Sequence, residues 1–197
     1  MTQVAEKTEL LNVKDWLALE ERSETRHQFY AGEVFAMAGA TVKHNRLVKN
    51  VVKNLDEKFE PKCLVVSENV KLEVEAGQYY TYPDVMVSCN EQDQEAEYIL
   101  KHPSVIVEVL SKTTAVGDRG FKWERYQKIP SLKHYLLVAQ DHYGVEVFSR
   151  AEGKLWTYAR YEGKDTEIPL QHVGHTMKME AIYANVKMED EETRPLE

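Results

Sequence analysis

Two strand-like stretches decide the fold of this chain: Tyr82-Pro83-Asp84-Val85-Met86-Val87 and Val105-Ile106-Val107-Glu108-Val109-Leu110. Each stretch carries one carboxylate among apolar residues, and the run around Glu108 is typical of a strand covered on both faces. Burying an unpaired carboxylate is costly, so a charge at such a position needs a partner. The sequence therefore predicts that Asp84 and Glu108 lie on neighbouring strands and converge on one cation-binding pocket.

A lysine follows on the apolar side of a short predicted helix. Lys122 precedes Tyr126 and Ile129 by four and seven residues, which puts the three side chains on one helix face. Its apolar stem can run along these neighbours while the ammonium reaches the carboxylates, although a surface lysine is the alternative. Two carboxylates and a lysine are the working parts of a divalent-metal site that hydrolyses phosphodiesters.

Length and composition bound the remaining possibilities. The chain has 197 residues, a mass of 22.8 kDa and 43% apolar residues, so we expect a single domain over residues 1–187 and an acidic tail over 188–197. No apolar run approaches the roughly 20 residues that span a bilayer, and no secretory signal is visible, which predicts a cytoplasmic protein without a membrane partner. Cys63 and Cys89 lack a metal-type spacing, and we expect buried, reduced thiols rather than a disulfide.

The net charge of -8 counts against broad electrostatic attraction to nucleic acid. Two internal segments, residues 43–53 and 119–133, are locally basic. A solvated helix face explains these segments as well as a phosphate contact does. They permit nucleic-acid binding without predicting it.

The pattern of apolar residues predicts an α/β chain whose central part reads helix, strand, strand, strand, helix, strand. Thr41 is the predicted N-cap of a long helix that ends before Pro61, and Asp118 is the predicted cap of a helix that stops before Pro130. The other predicted elements are a helix at 13–20, strands at 29–37, 63–74, 79–88, 104–110 and 134–139, a loop at 90–97, and a hairpin formed by 144–150 and 155–161.

Five separated phrases carry a family resemblance. They are Tyr30-Ala31-Gly32-Glu33-Val34-Phe35-Ala36-Met37-Ala38-Gly39, His44-Asn45-Arg46-Leu47, Tyr82-Pro83-Asp84-Val85, Val107-Glu108-Val109-Leu110-Ser111 and Asp118-Arg119-Gly120-Phe121-Lys122. In this order they are similar to the Uma2 family of restriction-type endonucleases, also called DUF820 and abundant in cyanobacteria. The chain thereby resembles the PD-(D/E)XK nuclease superfamily from about residue 16 to about residue 148.

The resemblance implies a restriction-endonuclease-like α/β fold with a mixed central sheet, an added N-terminal helix and strand, and added C-terminal strands. It implies a metal-dependent endonuclease that hydrolyses phosphodiester bonds of nucleic acid, with DNA as the expected substrate, through a metal-activated water. The expected ligands of Mg²⁺ or Mn²⁺ are Asp84, Glu108 and the carbonyl of Val109. Lys122 is then expected to orient the water or to stabilise charge on the phosphoryl oxygens.

The position of the catalytic lysine departs from the superfamily signature. The signature places a lysine two residues after the glutamate, where this chain has Leu110. Lys112 reaches the same face as Glu108 only if the strand continues past Ser111. In the resembling family the lysine comes from the following helix, which selects Lys122.

Alternatives stay open for three other residues. The resemblance adds Glu33 to the catalytic residues, and a surface glutamate on an edge strand is an equally good interpretation. His44 is expected either to orient a phosphate or a carboxylate, or to be a hydrogen-bonded histidine at the edge of the core. Asp84 follows a proline, as an aspartate in a turn does.

Two other classes of function compete with the enzyme. One is a catalytically silent nuclease-fold module that binds nucleic acid or a protein partner, which the negative charge and the displaced lysine favour. The other is a homodimeric scaffold with a vestigial pocket. Retention of two carboxylates and a lysine favours the enzyme, since a dead site gains stability when apolar residues replace buried charges. The sequence has neither a GxSxG elbow nor a GxxxxGK[ST] loop, which disfavours a serine hydrolase and an ATP-driven enzyme.

Overall fold

The computed structural model describes residues 10–111 and 115–188. The helices are α1 Val13–Arg22, α2 Val42–Phe59, α3 Glu91–Gln94, α4 Ala115–Gly117, α5 Trp123–Tyr126 and α6 Met179–Ile182, with a π-helical turn at Asp118–Lys122 and a 3-10 turn at Gln171–Val173. The strands are β1 His27–Tyr30, β2 Glu33–Ala36, β3 Leu64–Ser67, β4 Lys71–Glu75, β5 Tyr79–Thr81, β6 Val85–Ser88, β7 Ile99–Leu100, β8 Val105–Val109, β9 His134–Val138, β10 Gly144–Arg150, β11 Trp156–Glu162, β12 Glu167–Leu170 and β13 His175–Lys178. Residues 189–197 of the predicted acidic tail lie outside the described residues.

The central sheet has six strands in the order β11-β10-β9-β8-β6-β3. The β8 and β9 strands run parallel, and the other neighbours in this sheet are antiparallel. A second sheet has the order β2-β1-β5-β4-β7, and β12 pairs with β13 alone. This is the mixed α/β arrangement that the sequence predicts.

Alternate residues of β8 enter two different cores, one on each face of the central sheet. Val107 belongs to the core that contains Leu47 of α2, whereas Ile106 belongs to the core that contains Tyr126 of α5. The continuous apolar run of β8 is therefore covered on both faces, as predicted. The segment from the π-helical turn to α5 is thereby brought over the face that includes Ile106.

The long helix α2 has the predicted limits. The side chain of Thr41 accepts a hydrogen bond from the backbone N–H of His44 at 3.1 Å, which caps the helix. The helix ends at Phe59, ahead of Pro61, which has no N–H to donate. Both signals are local, so the sequence predicts them well.

Three predicted strands are each divided in two. Ala31 and Gly32 have φ of 49° and 92°, so the strand predicted at 29–37 turns back on itself as the antiparallel pair β1 and β2. Glu68 and Asn69 also have positive φ, and they separate β3 from β4. The strand predicted at 79–88 is interrupted around Pro83, which cannot donate to a strand ladder.

The helix predicted to begin at Asp118 starts earlier than expected. The α4 helix already covers Ala115–Gly117, so Asp118 lies inside the helical segment and its prediction as an N-cap is wrong. The predicted stop before Pro130 is confirmed, because α5 ends at Tyr126. The loop predicted at 90–97 contains α3, which Asn90 caps.

The two cysteines correct another prediction. Cys63 and Cys89 form a disulfide, so the expectation of reduced thiols is wrong. The antiparallel register pairs Leu64 with Ser88, and each cysteine lies one position outside this pair. The pairing of β3 with β6, which local spacing does not reveal, brings the two sulfur atoms together.

None of the helices in the described ranges is long and apolar enough to cross a lipid bilayer.

Candidate active site

Glu108 is a deeply buried carboxylate of the predicted site. It lies on β8 and is only 2% exposed. Its Oε1 accepts hydrogen bonds from the Lys122 ammonium at 2.9 Å and from the Tyr126 hydroxyl at 3.0 Å. Burial raises the pKa of Glu108; the charge of Lys122 lowers it, and the charges of Asp84 and Asp118 raise it further. The pKa of Glu108 is raised overall, because the positive charge around the ionised carboxylate does not compensate for its burial and for the nearby negative charges.

Asp84 lies in the bend that precedes β6. The β6 and β8 strands are antiparallel neighbours with Val85 opposite Val107, so extending this register by one residue places Asp84 opposite Glu108. The Oδ2 atom of Asp84 accepts a hydrogen bond from the backbone N–H of Val109 at 2.7 Å. The prediction that the two strands are neighbours is confirmed, and the backbone of β8 fixes the carboxylate of Asp84.

His44 reaches the same place from the first turn of α2. Its Nε2 lies 3.2 Å from Asp84 Oδ1, and its Nδ1 lies 3.4 Å from the amide nitrogen of Gln140. Burial lowers the pKa of His44, but the hydrogen bond and charge of Asp84, together with the charges of Glu68 and Glu108, raise it by more. Of the alternatives open from sequence, the contact favours orientation of a carboxylate.

The π-helical turn brings Asp118 and Lys122 together. The ammonium of Lys122 lies 2.9 Å from Asp118 Oδ1 as well as 2.9 Å from Glu108 Oε1. Asp118 is 2% exposed, so this ion pair is shielded from solvent. Burial lowers the pKa of Lys122, but Glu108 and Asp118 raise it by more, so the ammonium stays charged.

Asp118 is a candidate site residue that the sequence reasoning missed. It was interpreted as a helix cap, whereas its carboxylate shares the ammonium of Lys122 with Glu108. The available signal was the spacing of four residues between Asp118 and Lys122, which puts an acid and a base on one helix face.

The remaining predicted residues stand apart or have different contacts. Glu33 is exposed on β2, and within the described ranges it forms no hydrogen bond or ion pair with Asp84, Glu108 or Lys122. Val109 contributes its backbone N–H to the site by holding Asp84. Lys112 lies outside the described residues. The structure thus brings Asp84, Glu108, Lys122 and His44 together and leaves Glu33 outside their contacts.

We name Asp84, Glu108, Asp118 and Lys122 the acidic cluster. Two of its carboxylates, Glu108 and Asp118, contact the ammonium of Lys122, and the third, Asp84, contacts His44, which can add one further positive charge at the edge. This excess of negative charge suits a divalent cation. No three ligand-type side chains of the described chain converge as a metal cage. One or two carboxylates are enough for a divalent cation that keeps several of its waters, whereas structural zinc takes four protein ligands.

Comparison with known proteins places this chain in a family. A family model described as "Putative restriction endonuclease" matches residues 13–180. The chain belongs to the Uma2 family. Uma2 is part of the restriction endonuclease-like superfamily, so the predicted family is confirmed. The family assignment supports a nuclease function.

Curated relatives and a solved structure extend the comparison. Two Synechocystis proteins, "Uncharacterized protein slr1290" and "Uncharacterized protein sll1609", are 29% and 31% identical to this chain, covering 88% and 84% of it and 91% and 95% of their own lengths. A crystal structure of "a putative nuclease belonging to DUF820" from Anabaena variabilis superposes with a TM-score of 0.71 at 15% identity, covering 88% of this chain and 98% of the other. That similarity confirms the fold class.

Proposed function

We propose that this Uma2 protein is a divalent-metal-dependent endonuclease that hydrolyses phosphodiester bonds of DNA. The acidic cluster is the observation that carries the proposal. Its three carboxylates come from separate segments of the chain; two of them contact Lys122, and the charge of the third, Asp84, acts on Glu108. Such an arrangement is costly for stability alone, because apolar residues of similar volume fill a core at less electrostatic cost.

Asp84 and Glu108 would hold the metal ion, with Mg²⁺ or Mn²⁺ as the preferred species. A divalent ion at such a site supplies Lewis acidity toward the scissile phosphate and lowers the pKa of water. The protein contributes the placement of its ligands. The backbone N–H of Val109 and the imidazole of His44 hold the two oxygens of Asp84, while the hydroxyl of Tyr126 holds Glu108.

Lys122 is the proposed catalytic lysine. Its ammonium is kept charged by two carboxylates, and its stem is enclosed, so the charge is fixed in position before substrate arrives. A fixed positive charge stabilises negative charge that grows on phosphoryl oxygens, and it does so most strongly where water is excluded. Asp118 would act as a positioning residue, since its Oδ1 lies 2.9 Å from the same ammonium.

The choice of DNA rests on the description of the family as restriction endonucleases. The net charge of -8 predicts weak attraction to phosphates in general. Recognition would therefore depend on a small number of contacts near the site. Tight non-specific binding along the duplex is not expected.

The decisive experiment is cleavage of plasmid DNA and of single-stranded DNA with Mg²⁺ or Mn²⁺. Wild type should cut, and Asp84→Ala should not. Asp165→Ala is the matched control, because Asp165 is an exposed aspartate outside the acidic cluster. If wild type cuts neither DNA with either metal, the proposal fails, and a catalytically silent nuclease-fold module becomes the better interpretation.

A further inference from the structure

An exposed aromatic ring lies next to the proposed catalytic lysine. Phe121 directly precedes Lys122 and remains 37% exposed. Its ring meets the rings of Tyr30 and Tyr79 nearly at right angles, with centroid distances of 5.0 and 5.3 Å. Phe121 is thus anchored to the protein by its aromatic neighbours and still open to solvent.

Arg125 fixes this ring from a further direction. Its guanidinium lies 3.6 Å from the centroid of the Phe121 ring and 4.6 Å from that of Tyr30. It also donates hydrogen bonds to the Tyr30 hydroxyl at 2.7 Å and to the Phe121 carbonyl at 3.3 Å. A ring held this firmly loses little freedom when a planar group binds to it, which favours affinity.

The aromatic group borders the acidic cluster. Tyr79 is fully buried, and burial raises its pKa to about 12, with the charge of Lys122 lowering it and that of Glu108 raising it. Tyr79 packs in the same core as Tyr126, whose hydroxyl donates a hydrogen bond to Glu108, so the aromatic group lies beside the acidic cluster. Phe121 itself directly precedes Lys122 in the chain, so its partly exposed ring belongs to the segment that carries the proposed catalytic lysine.

We propose that Phe121 is a stacking platform for an unpaired nucleobase beside the scissile phosphate, so that single-stranded or locally unpaired nucleic acid is the preferred substrate class. This inference rests on the proposed nuclease function. Stacking on an aromatic side chain contributes about 1–3 kcal/mol per base and needs no positive protein charge, which suits a chain with a net charge of -8. Bases within an intact duplex are already stacked on each other and are not available to Phe121.

The test measures binding apart from cleavage. Wild type in EDTA, where the proposed metal-dependent cleavage does not proceed, is titrated with a fluorescently labelled single-stranded oligodeoxynucleotide and with the matching duplex, and anisotropy reports binding. Adding Phe121→Leu keeps an apolar side chain and removes the aromatic face. We expect the affinity for the single strand to fall roughly tenfold, which corresponds to about 1.4 kcal/mol, and the affinity for the duplex to change less than twofold.

Two further variants guard against a structural explanation. Phe121→Trp should restore single-strand affinity, because it returns an aromatic face. Tyr98→Leu, at a tyrosine that is 65% exposed elsewhere, should leave affinity unchanged. Equal weakening for single strand and duplex, or no weakening at all, overturns the platform. Wild-type cleavage is measured separately. If wild type cuts DNA but Phe121→Leu does not weaken single-strand binding, only the stacking platform is refuted. If Phe121→Leu weakens single-strand binding but wild type does not cut DNA, only the proposed nuclease activity is refuted.

Discussion

Asp93 and Glu108 are equally buried, each 2% exposed, but their surroundings differ. Asp93 accepts hydrogen bonds from the Ser88 hydroxyl at 2.7 Å and from the backbone N–H groups of Lys101 and His102 at 2.9 and 2.8 Å, with the His102 ring at 3.2 Å. Burial raises the pKa of Asp93, yet these hydrogen bonds lower it by more. For Glu108 the balance is reversed, and its pKa is raised.

The comparison separates a structural carboxylate from one available for chemistry. Asp93 ties the end of β6 to the segment before β8, and its donors satisfy its charge. Glu108 shares a single lysine with Asp118 and lies near a further carboxylate, so its charge is not fully balanced. Burial alone does not identify a functional acid. The number and the charge of the groups that contact the carboxylate distinguish a functional acid from a structural one.

The largest expected effect tests the lysine that Glu108 shares. Lys122→Ala should slow DNA cleavage roughly a hundredfold or more, because no other side chain of the acidic cluster supplies a positive charge, while DNA affinity changes far less. Lys112→Ala should have little effect on either quantity. Single-turnover cleavage assays measure the cleavage rate, and binding titrations measure the DNA affinity. Loss of cleavage in Lys112→Ala with an active Lys122→Ala would show that the lysine is wrongly assigned.

The second effect concerns stability and should differ sharply between the two acids. Asp93→Asn should lower the free energy of unfolding by about 2–4 kcal/mol, because its amide nitrogen faces backbone donors that need an acceptor. Glu108→Gln should not lower it, since the substitution removes the repulsion from Asp84 and Asp118. Urea unfolding without metal measures both. A larger loss for Glu108→Gln would contradict the distinction.

The pH dependence of stability should differ in sign. The lowered pKa of Asp93 means that its contribution is present above the ordinary aspartate pKa of about 3.9 and is lost as the pH falls through the lower folded value. The raised pKa of Glu108 means that its contribution is present below the ordinary glutamate pKa of about 4.3 and is lost as the pH rises through the folded value.

These signs are checked by measuring the free energy of unfolding as a function of pH, in EDTA, for wild type and both variants. Wild type should lose stability relative to Glu108→Gln as the pH rises above about 4.3, by roughly 1.4 kcal/mol for each unit of pKa shift. The advantage of wild type over Asp93→Asn should shrink as the pH falls below about 3.9. Parallel curves for wild type and Glu108→Gln would mean that Glu108 keeps an ordinary pKa.

The smallest effect is metal stabilisation. Mg²⁺ at ten times its dissociation constant should stabilise wild type by about 1.4 kcal/mol through mass action, or about 3 °C in melting temperature. Asp93→Asn should keep this response and Glu108→Gln should lose it. Equal responses in wild type and Glu108→Gln would place the ion elsewhere.

Local signals in the sequence predicted much of the fold. The N-cap Thr41, the stop at Pro61 and the hairpin of β10 and β11 depend on neighbouring residues, and all three are confirmed. The interruption of the strand at 29–37 was missed, because positive φ at Ala31 is uncommon for a residue other than glycine. Local sequence signals are reliable where the residues adopt their usual backbone conformations.

The residues of the candidate site divide in the same way, into those that local sequence signals predict and those that they do not. A glutamate in an apolar run and a lysine on an apolar helix face are visible in the sequence, because each conflicts with the expected burial of its position. Their partners are not visible in this way. Asp118 looks like a helix cap until the π-helical turn directs its carboxylate to Lys122, and Glu33 looks like a site residue until the structure places it among exposed residues of β2.

The amino-acid sequence alone specifies which positions carry the unusual charges and which family the chain resembles. Which of these charges meet depends on the tertiary fold. The pairing of β6 with β8 sets Asp84 opposite Glu108, the pairing of β3 with β6 joins Cys63 to Cys89, and the packing over β8 delivers Lys122. The physical reason is that side-chain types and turn signals are local, whereas strand register and electrostatic balance depend on residues far apart in the chain.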